Sequence, residues 1–330
     1  MRALFDLDTH LTGNGINLFA GTGTGLGLFL LMHDPTIRVV YVDNGVSKEW
    51  MLTHIPKQLH SRTLFLSLDI RDLTVDLLAE KVSRVWDGFS TKEVVWFHGS
   101  PDCTTLSNAS RGKCKYRGEN GEATHPKSYR ADATFANAVK LALCVLKFNP
   151  DCCVSFENPF TMAFQSLPFV KMLVHTKGWT LSATSYCKCS DAHEGPMPQK
   201  HTYVLTYNCG LNLNLPMCDN DCTSLIQGTN FHKVVLCRNA GMHPDQTVLD
   251  NPYEKGKIPH GLFRRLHEAH IQFIGKKRER EQRRAMQVAQ EEGFNREVNR
   301  DINSTLECVA TNGYQNICSP FAISGYQTHI

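Results

Sequence analysis

Asn17–Gly27 reads NLFAGTGTGLG, a short apolar run giving way to four alternating glycines. The pattern predicts a strand that enters a glycine-rich turn, where backbone can approach a ligand closely, and then a helix N-terminus. Such a turn is equally the signature of a cofactor site and of a plain connection. Its spacing, G-x-G-x-G-x-G, departs from the G-x-G-x-x-G of dinucleotide-binding turns, so an NAD-dependent oxidoreductase rests on the turn alone. Further along, β-branched and aromatic runs recur at Arg38–Val42, Thr63–Leu66, Val94–Phe97, Cys153–Phe156, Leu181–Tyr186 and Thr202–Thr206, beside the first at Ile16–Phe19. Between them lie segments of helical spacing; in Thr134–Phe148, for example, Phe135, Val139, Leu141, Ala142, Val145 and Leu146 can share one broad face. The alternation predicts an α/β fold with a mainly parallel sheet covered on both faces, with its chemistry at the carboxyl ends of the strands.

Four acidic or thiol-bearing strand ends follow from that layout. Asp43 closes the second strand, about 20 residues past the glycines, where a carboxylate takes a ribose hydroxyl. Asp69, in Leu66–Leu73 LSLDIRDL, follows the third strand; it either holds a ligand amino group or caps the turn before Leu73. The fourth strand runs into Phe97–Ser107, FHGSPDCTTLS, which carries Cys103 just beyond the strand end. A cysteine there is either a small buried residue or a nucleophile. The fifth strand, CCVSFENPF at Cys152–Phe160, ends with Glu157-Asn158-Pro159 and brings a carboxyl to the same edge. Read alone, Glu157 is also compatible with a surface carboxylate, which leaves the Asn-Pro pair unexplained. Thiol and carboxyl together suit cytosine chemistry. Carbon 5 of that ring accepts a methyl cation only after a thiolate adds to carbon 6, and the addition requires ring nitrogen 3 to be protonated or strongly hydrogen-bonded.

On these residues the chain resembles the cytosine-C5 DNA methyltransferase family, and in particular its short phage-type and eukaryotic relatives. NLFAGTGTGLG is similar to the first cofactor motif, YVDN to the second, LDIRDL to the third, SPDCTTLS to the nucleophile motif and FENP to the E-N-V motif, in family order. Ser185–Asn208 is similar to the Q-x-R-x-R segment and Lys255–Leu266, KGKIPHGLFRRL, to the final cofactor helix. The likeness runs from about Ile16 to His270. It implies a Rossmann-like S-adenosylmethionine-dependent methyltransferase sheet with a small irregular target-recognition lobe, acting on double-stranded DNA. Phe19, Gly21, Gly23, Asp43, Asp69 and Ile70 would hold S-adenosylmethionine, Cys103 would attack, and Glu157 would engage the base. The chain departs from the family at Asp102, where a second proline is usual and where a like charge would raise the thiol pKa. It departs again at Gln199–Tyr203, which lacks both arginines and leaves Lys200 or His201 to make their contacts. RNA cytosine methylation and a catalytically impaired binding relative remain the alternatives.

Arg111, Lys113, Lys115, Arg117, Lys127 and Arg130 follow the nucleophile on a Gly- and Ser-containing segment. They read either as a solvated surface loop or, given their attachment to the thiol, as a clamp on backbone phosphates around a flipped base. Residues 1–207 are expected to form the catalytic domain and 208–255 the small lobe. Residues 256–274 should be a helix returning to the sheet, with Leu262, Phe263, Leu266, Ala269 and Ile271 on one apolar side. A charged helical extension and loose tail are expected over 275–330, starting with KKREREQRR at Lys276–Arg284.

Hydrophobic content of 42% and charged content of 20% are ordinary for a folded chain, and a net charge of +3 does not by itself announce a nucleic-acid binder. Thirteen cysteines, an odd number with no leader-like segment before them, point to a reduced intracellular setting. That setting is the nucleus in a eukaryote and the cytoplasm in a phage host or bacterium. The longest apolar run, Leu26–Met32, falls far short of the roughly 18 residues that span a bilayer. No membrane partner is expected, and a monomer is favoured. In the lobe, Cys209, Cys218, Cys222, Cys237, His232 and His243 are soft ligands. Cys218-x-x-x-Cys222 has zinc-ligand spacing without a defined second half, so these residues read as ordinary free thiols in a small core, with no metal expected and Cys218 and Cys222 the weak candidates for a structural zinc.

Overall fold

The computed structural model describes residues 13–18, 25–107, 116–191, 194–209, 213–236, 242–249, 255 and 257–311. The chain divides into two compact units, Met1–Ile274 and Gly275–Ile330. Phe19, Gly21, Gly23, Arg111, Lys113, Lys115 and Cys237 lie outside the described residues.

The first unit is built on a seven-stranded sheet of order β3-β2-β1-β4-β5-β7-β6. Its strands are β1 (Asn14–Leu18), β2 (Arg38–Val42), β3 (Thr63–Leu66), β4 (Val94–Gly99), β5 (Cys153–Pro159), β6 (Trp179–Ser185) and β7 (His201–Tyr207). Pairings among β1 to β5 are parallel, whereas β7 runs antiparallel between β5 and β6. This is a Rossmann-like α/β sheet, as the motif order implies. Strand order reverses between β1 and β4, and in such sheets ligands enter at the carboxyl ends beside that switch point.

Burial on both faces explains why the strands read as continuous apolar runs. Ile16, Leu18, Val40, Val42, Phe97, Val154 and Phe156 face one cluster, which is completed by Leu78 and Val82 of α3 (Val75–Ser83) and Phe135, Leu141 and Val145 of α4 (Pro126–Phe148). The alternate positions Val39, Tyr41, Trp96, Cys153 and Val204 face a second cluster. Leu26, Phe29 and Leu30 of α1 (Gly25–His33) join it, with Met51 of α2 (Lys48–Thr53) and Leu262, Phe263 and Leu266 of the final helix. Helix α1 lies close on β2, because a Cβ at Gly27 would meet the Tyr41 ring at 2.6 Å. A side chain there would force the helix off the sheet.

Several strand ends shift by one to three residues from the sequence reading, and two helices differ by more. Helix α4 begins at Pro126, eight residues before Thr134, because His125 and Ser128 form a reciprocal capping box and proline suits a first turn. Lys127 and Arg130 therefore stand on a helix rather than in a loop. The last helix runs His260–Thr311, past Asn299, where a loose tail is expected. Within the first unit its buried face is Leu262, Phe263, Leu266, His270 and Ile274, with Ile271 only partly covered. In the second unit residues 278–304 are exposed, with spaced ion pairs such as Lys277–Glu281 and Arg296–Glu292. Among the described residues, no helix is long and apolar enough to cross a membrane.

Candidate active site

The parallel register of β4 and β5 pairs Gly99 with Phe156, so the next residues, Ser100 and Glu157, stand side by side. Ser100 Oγ donates to Glu157 Oε2 at 2.7 Å. In the opposite sense Asn158 Nδ2 donates to Pro101 O at 3.3 Å. The Asn158 side chain, unexplained by its sequence position, thus ties the loop that carries Cys103 to the tip of β5.

Glu157 is almost fully buried, at 4% exposure, and a carboxylate there demands partners. Its Oε1 accepts from Tyr186 Oη at 2.6 Å and from Thr202 Oγ1, and the Lys200 ammonium stands 3.5 Å away. Burial by itself would push the carboxyl up. Lys200 and the hydroxyls of Thr202, Tyr186 and Ser100 outweigh it and hold Glu157 below the ordinary carboxylate range. The antiparallel β7 makes this possible, since its pairing of Pro159 with Thr202 delivers Lys200 and Thr202 to the tip of β5. Tyr186 arrives from the end of β6, at the start of α7 (Tyr186–Cys189).

Cys103 is exposed, yet enough protein surrounds the sulfur for desolvation to push its thiol up. Lys200 opposes that shift, while Glu157 and Asp102 add to it. Cys103, Glu157 and Lys200 therefore sit within reach of one another's charge. Asp102 does contribute a like charge, and its Oδ1 accepts from Thr104 N at 2.9 Å, which shapes the turn after the thiol.

Beside this group lies a cavity of about 580 Å³ lined by Asp43, Asn44, Asp69, Ile70 and Asp102 from the strand ends and by Lys127 and Arg130 of α4, among others. Asp69 takes the capping role, its Oδ1 accepting from Arg71 N at 2.9 Å at the start of a short 3-10 turn, and it also lines the cavity. The Arg71 guanidinium, hydrogen-bonded to Asp69, holds that carboxyl at about 2. Beneath the site His98 is buried with Nδ1 2.8 Å from Ser155 Oγ, and desolvation lowers it to about 4, so it is neutral.

Arg117 and His201 are engaged within the protein, whereas Lys200 makes the carboxylate contact that falls to it once the arginines are missing. Arg117 is interior: its side chain is 4% exposed, paired with Asp132 and hydrogen-bonded to the carbonyls of Thr105 and Gly121 at 3.0 Å each. Such a guanidinium is spent on the fold. Lys200 points at Glu157 and lies over the Tyr186 ring, 4.6 Å from its centroid. His201 turns to Ser185, with Nδ1 2.7 Å from Oγ. Tyr186, Thr202 and Ser100 were not legible as site residues, because hydroxyls at strand ends carry no pattern that separates them from ordinary caps.

No protein-family model matches the chain, and no curated protein matches it in sequence. Among solved structures it is similar to TrmN from Thermus thermophilus, with 15% identity over 59% of this chain and a TM-score of 0.31. The chain covers 44% of TrmN, less than half its length. It is also similar to an O-methyltransferase from Agrobacterium tumefaciens, with 9% identity over 64% of this chain and 80% of that one and a TM-score of 0.32. A 16S rRNA (adenine(1408)-N(1))-methyltransferase from Catenulisporales acidiphilia gives 10% identity over 59% and 86% of the two chains, with a TM-score of 0.33.

Proposed function

We propose that this chain transfers a methyl group from S-adenosylmethionine to carbon 5 of cytosine in double-stranded DNA through a covalent Cys103 adduct. One observation carries the reading: a reachable thiol and a buried, four-fold held carboxylate share the tips of adjoining strands beside a cavity with acidic strand-end residues. The choice of DNA rests on the order of the motifs in the sequence.

The cavity fits S-adenosylmethionine. Its volume of about 580 Å³ is of the size that encloses a small ligand. Asp43 and Asp69 stand where sheets of this winding hold ribose and base, and Ile70 supplies an apolar wall. When bound there, S-adenosylmethionine supplies the methyl group. The Cys103 sulfur adds to carbon 6 as the thiolate, which makes carbon 5 electron-rich enough to take the methyl group, leaving the donor as a neutral thioether; the carbon 5 proton then passes to water and the thiolate departs. Glu157 enters as an anion. A buried anion favours the N3-protonated ring that the addition needs, and it accepts a hydrogen bond from the exocyclic amino group. Lys200 keeps Glu157 ionised and favours the Cys103 thiolate, so one cation serves both reacting groups.

The test is covalent capture. Duplex DNA and RNA pools carrying 5-fluorocytosine, incubated with the protein and S-adenosylmethionine, should yield a denaturant-resistant adduct on DNA that maps to Cys103 and vanishes in Cys103→Ser. Capture on RNA alone would move the substrate. No adduct on either, from protein that binds S-adenosylmethionine in calorimetry, would reject the reaction.

A further inference from the structure

Away from the reacting groups, Cys187, Cys218, Cys222 and His232 place three sulfurs and one imidazole nitrogen within 4.8 Å of one another, all four residues buried. His232 Nε2 lies 3.4 Å from Cys218 Sγ and 3.3 Å from Cys222 Sγ. Zinc held at about 2.3 Å by sulfur and about 2.0–2.1 Å by nitrogen in a tetrahedron would set S–N edges of roughly 3.6 Å. These two separations need adjust only by tenths of an ångström. We propose that Cys187, Cys218, Cys222 and His232 form a structural zinc site of Cys3His type.

The surroundings agree with thiolates rather than with a small apolar core. The only apolar side chain packed on the three cysteines among the described residues is Leu225, partly buried, too little to account for a cluster held together by the hydrophobic effect. Between the paired cysteines the chain makes a tight knuckle. Asn220 takes φ 54, Asp219 N donates to Asp221 Oδ1 at 3.1 Å, and the amides of Asn220 and Asp221 bond to the Cys218 sulfur. A three-thiolate, one-imidazole zinc centre carries one negative charge, and Lys188, next to Cys187, lies within electrostatic reach of Cys218 and Cys222. Sequence spacing exposes only Cys218 and Cys222; the other two ligands come from α7 and from a short bridge between Leu225 and His232.

Such a centre would do a definite job. Cys187 follows Tyr186, which holds Glu157, and Cys218 N donates to Ser185 Oγ at 2.9 Å. The metal would fasten residues 218–232 to the end of β6 and thereby fix Tyr186 against the carboxylate.

The whole chain, expressed with zinc and purified without chelator, should carry one equivalent of zinc by mass spectrometry, and its cobalt(II) form should show the intense visible absorption and sulfur-to-cobalt charge transfer of a tetrahedral thiolate site. Cys222→Ser and His232→Ala should weaken zinc binding about ten-fold or more, while Cys144→Ser, a thiol outside the cluster, should retain the full equivalent. Folded wild-type protein without stoichiometric zinc, a weakly absorbing octahedral cobalt spectrum, a Cys218–Cys222 disulfide in fresh protein, or undiminished zinc affinity in Cys222→Ser would each overturn the assignment. Should the variants fail to fold, the wild-type metal content and cobalt spectrum decide it.

Discussion

Cys103 sits in a balance of opposing charges, with desolvation, Glu157 and Asp102 against Lys200. Because the net shift is upward, alkylation of the thiol should still be accelerating at about pH 8.5, where an ordinary cysteine is half ionised. Asp102→Asn keeps an Oδ1 acceptor for Thr104 and removes one like charge, so the thiol pKa should fall and iodoacetamide should react faster at neutral pH; an unchanged pH profile would mean that Asp102 does not act through its charge. Arg117 behaves differently. Its removal leaves Asp132, a quarter exposed, without a partner in the interior, and Arg117→Ala should cost about 3 kcal/mol in denaturant unfolding. Loss of DNA affinity with unaltered stability would contradict the interior role. The charge of Asp102 beside the thiol was legible in the sequence, whereas the interior place of Arg117 was not, since burial is decided by long-range packing that a single chain pattern does not carry.

The elements were more legible than the individual side chains. All seven sheet strands follow from β-branched runs, and α4 differs only at its start, where His125 rather than a Ser or Asp provides the cap. The final helix matters more than its position in the chain suggests. Phe263 is fully buried, packs edge-on to His98 with centroids 5.4 Å apart, and leaves 3.3 Å between its ring and a Cβ built on Gly25, whose φ of +35 opens α1. Truncation at Phe263 removes a wedge between the start of α1 and the strand that leads to the thiol. Phe263→Ala should destabilise the first unit by about 3–5 kcal/mol. It should also weaken S-adenosylmethionine binding measured in the still-folded fraction; binding unchanged at constant stability would show that α1 does not depend on this wedge.

Across the whole molecule, buried histidines set an acid limit. His98 and His270 are both lowered to about 4, chiefly by desolvation, whereas an unfolded histidine titrates near 6.5. The unfolded chain therefore binds more protons between those values. Stability is complete above about pH 6.5 and falls as the pH drops towards 4, by on the order of 3 kcal/mol for each histidine. His270, whose Nδ1 lies 2.8 Å from Asn208 O, is outside the sulfur cluster. Melting of His270→Gln between about pH 6.5 and 5 should accordingly be less acid-sensitive than wild type; an identical slope would place the acid limit elsewhere.

At this scale a mainly parallel, doubly covered sheet could be read from the alternation of strands and helices, its Rossmann-like winding from the resemblance of the motifs, and the thiol and carboxyl from their places at strand ends. The cage around Glu157 could not, because Tyr186, Lys200 and Thr202 reach it only through the reversed strand between β5 and β6. That cage has a mechanical side. Ser100 fastens the fourth strand to Glu157, and Asn158 fastens the fifth strand back to Pro101. One fastener would leave a pivot; two, driven from opposite sides, also fix the angle. Thermal breathing of the strand tips should then carry sulfur and carboxylate together as one jaw, so that the gap between them keeps its width.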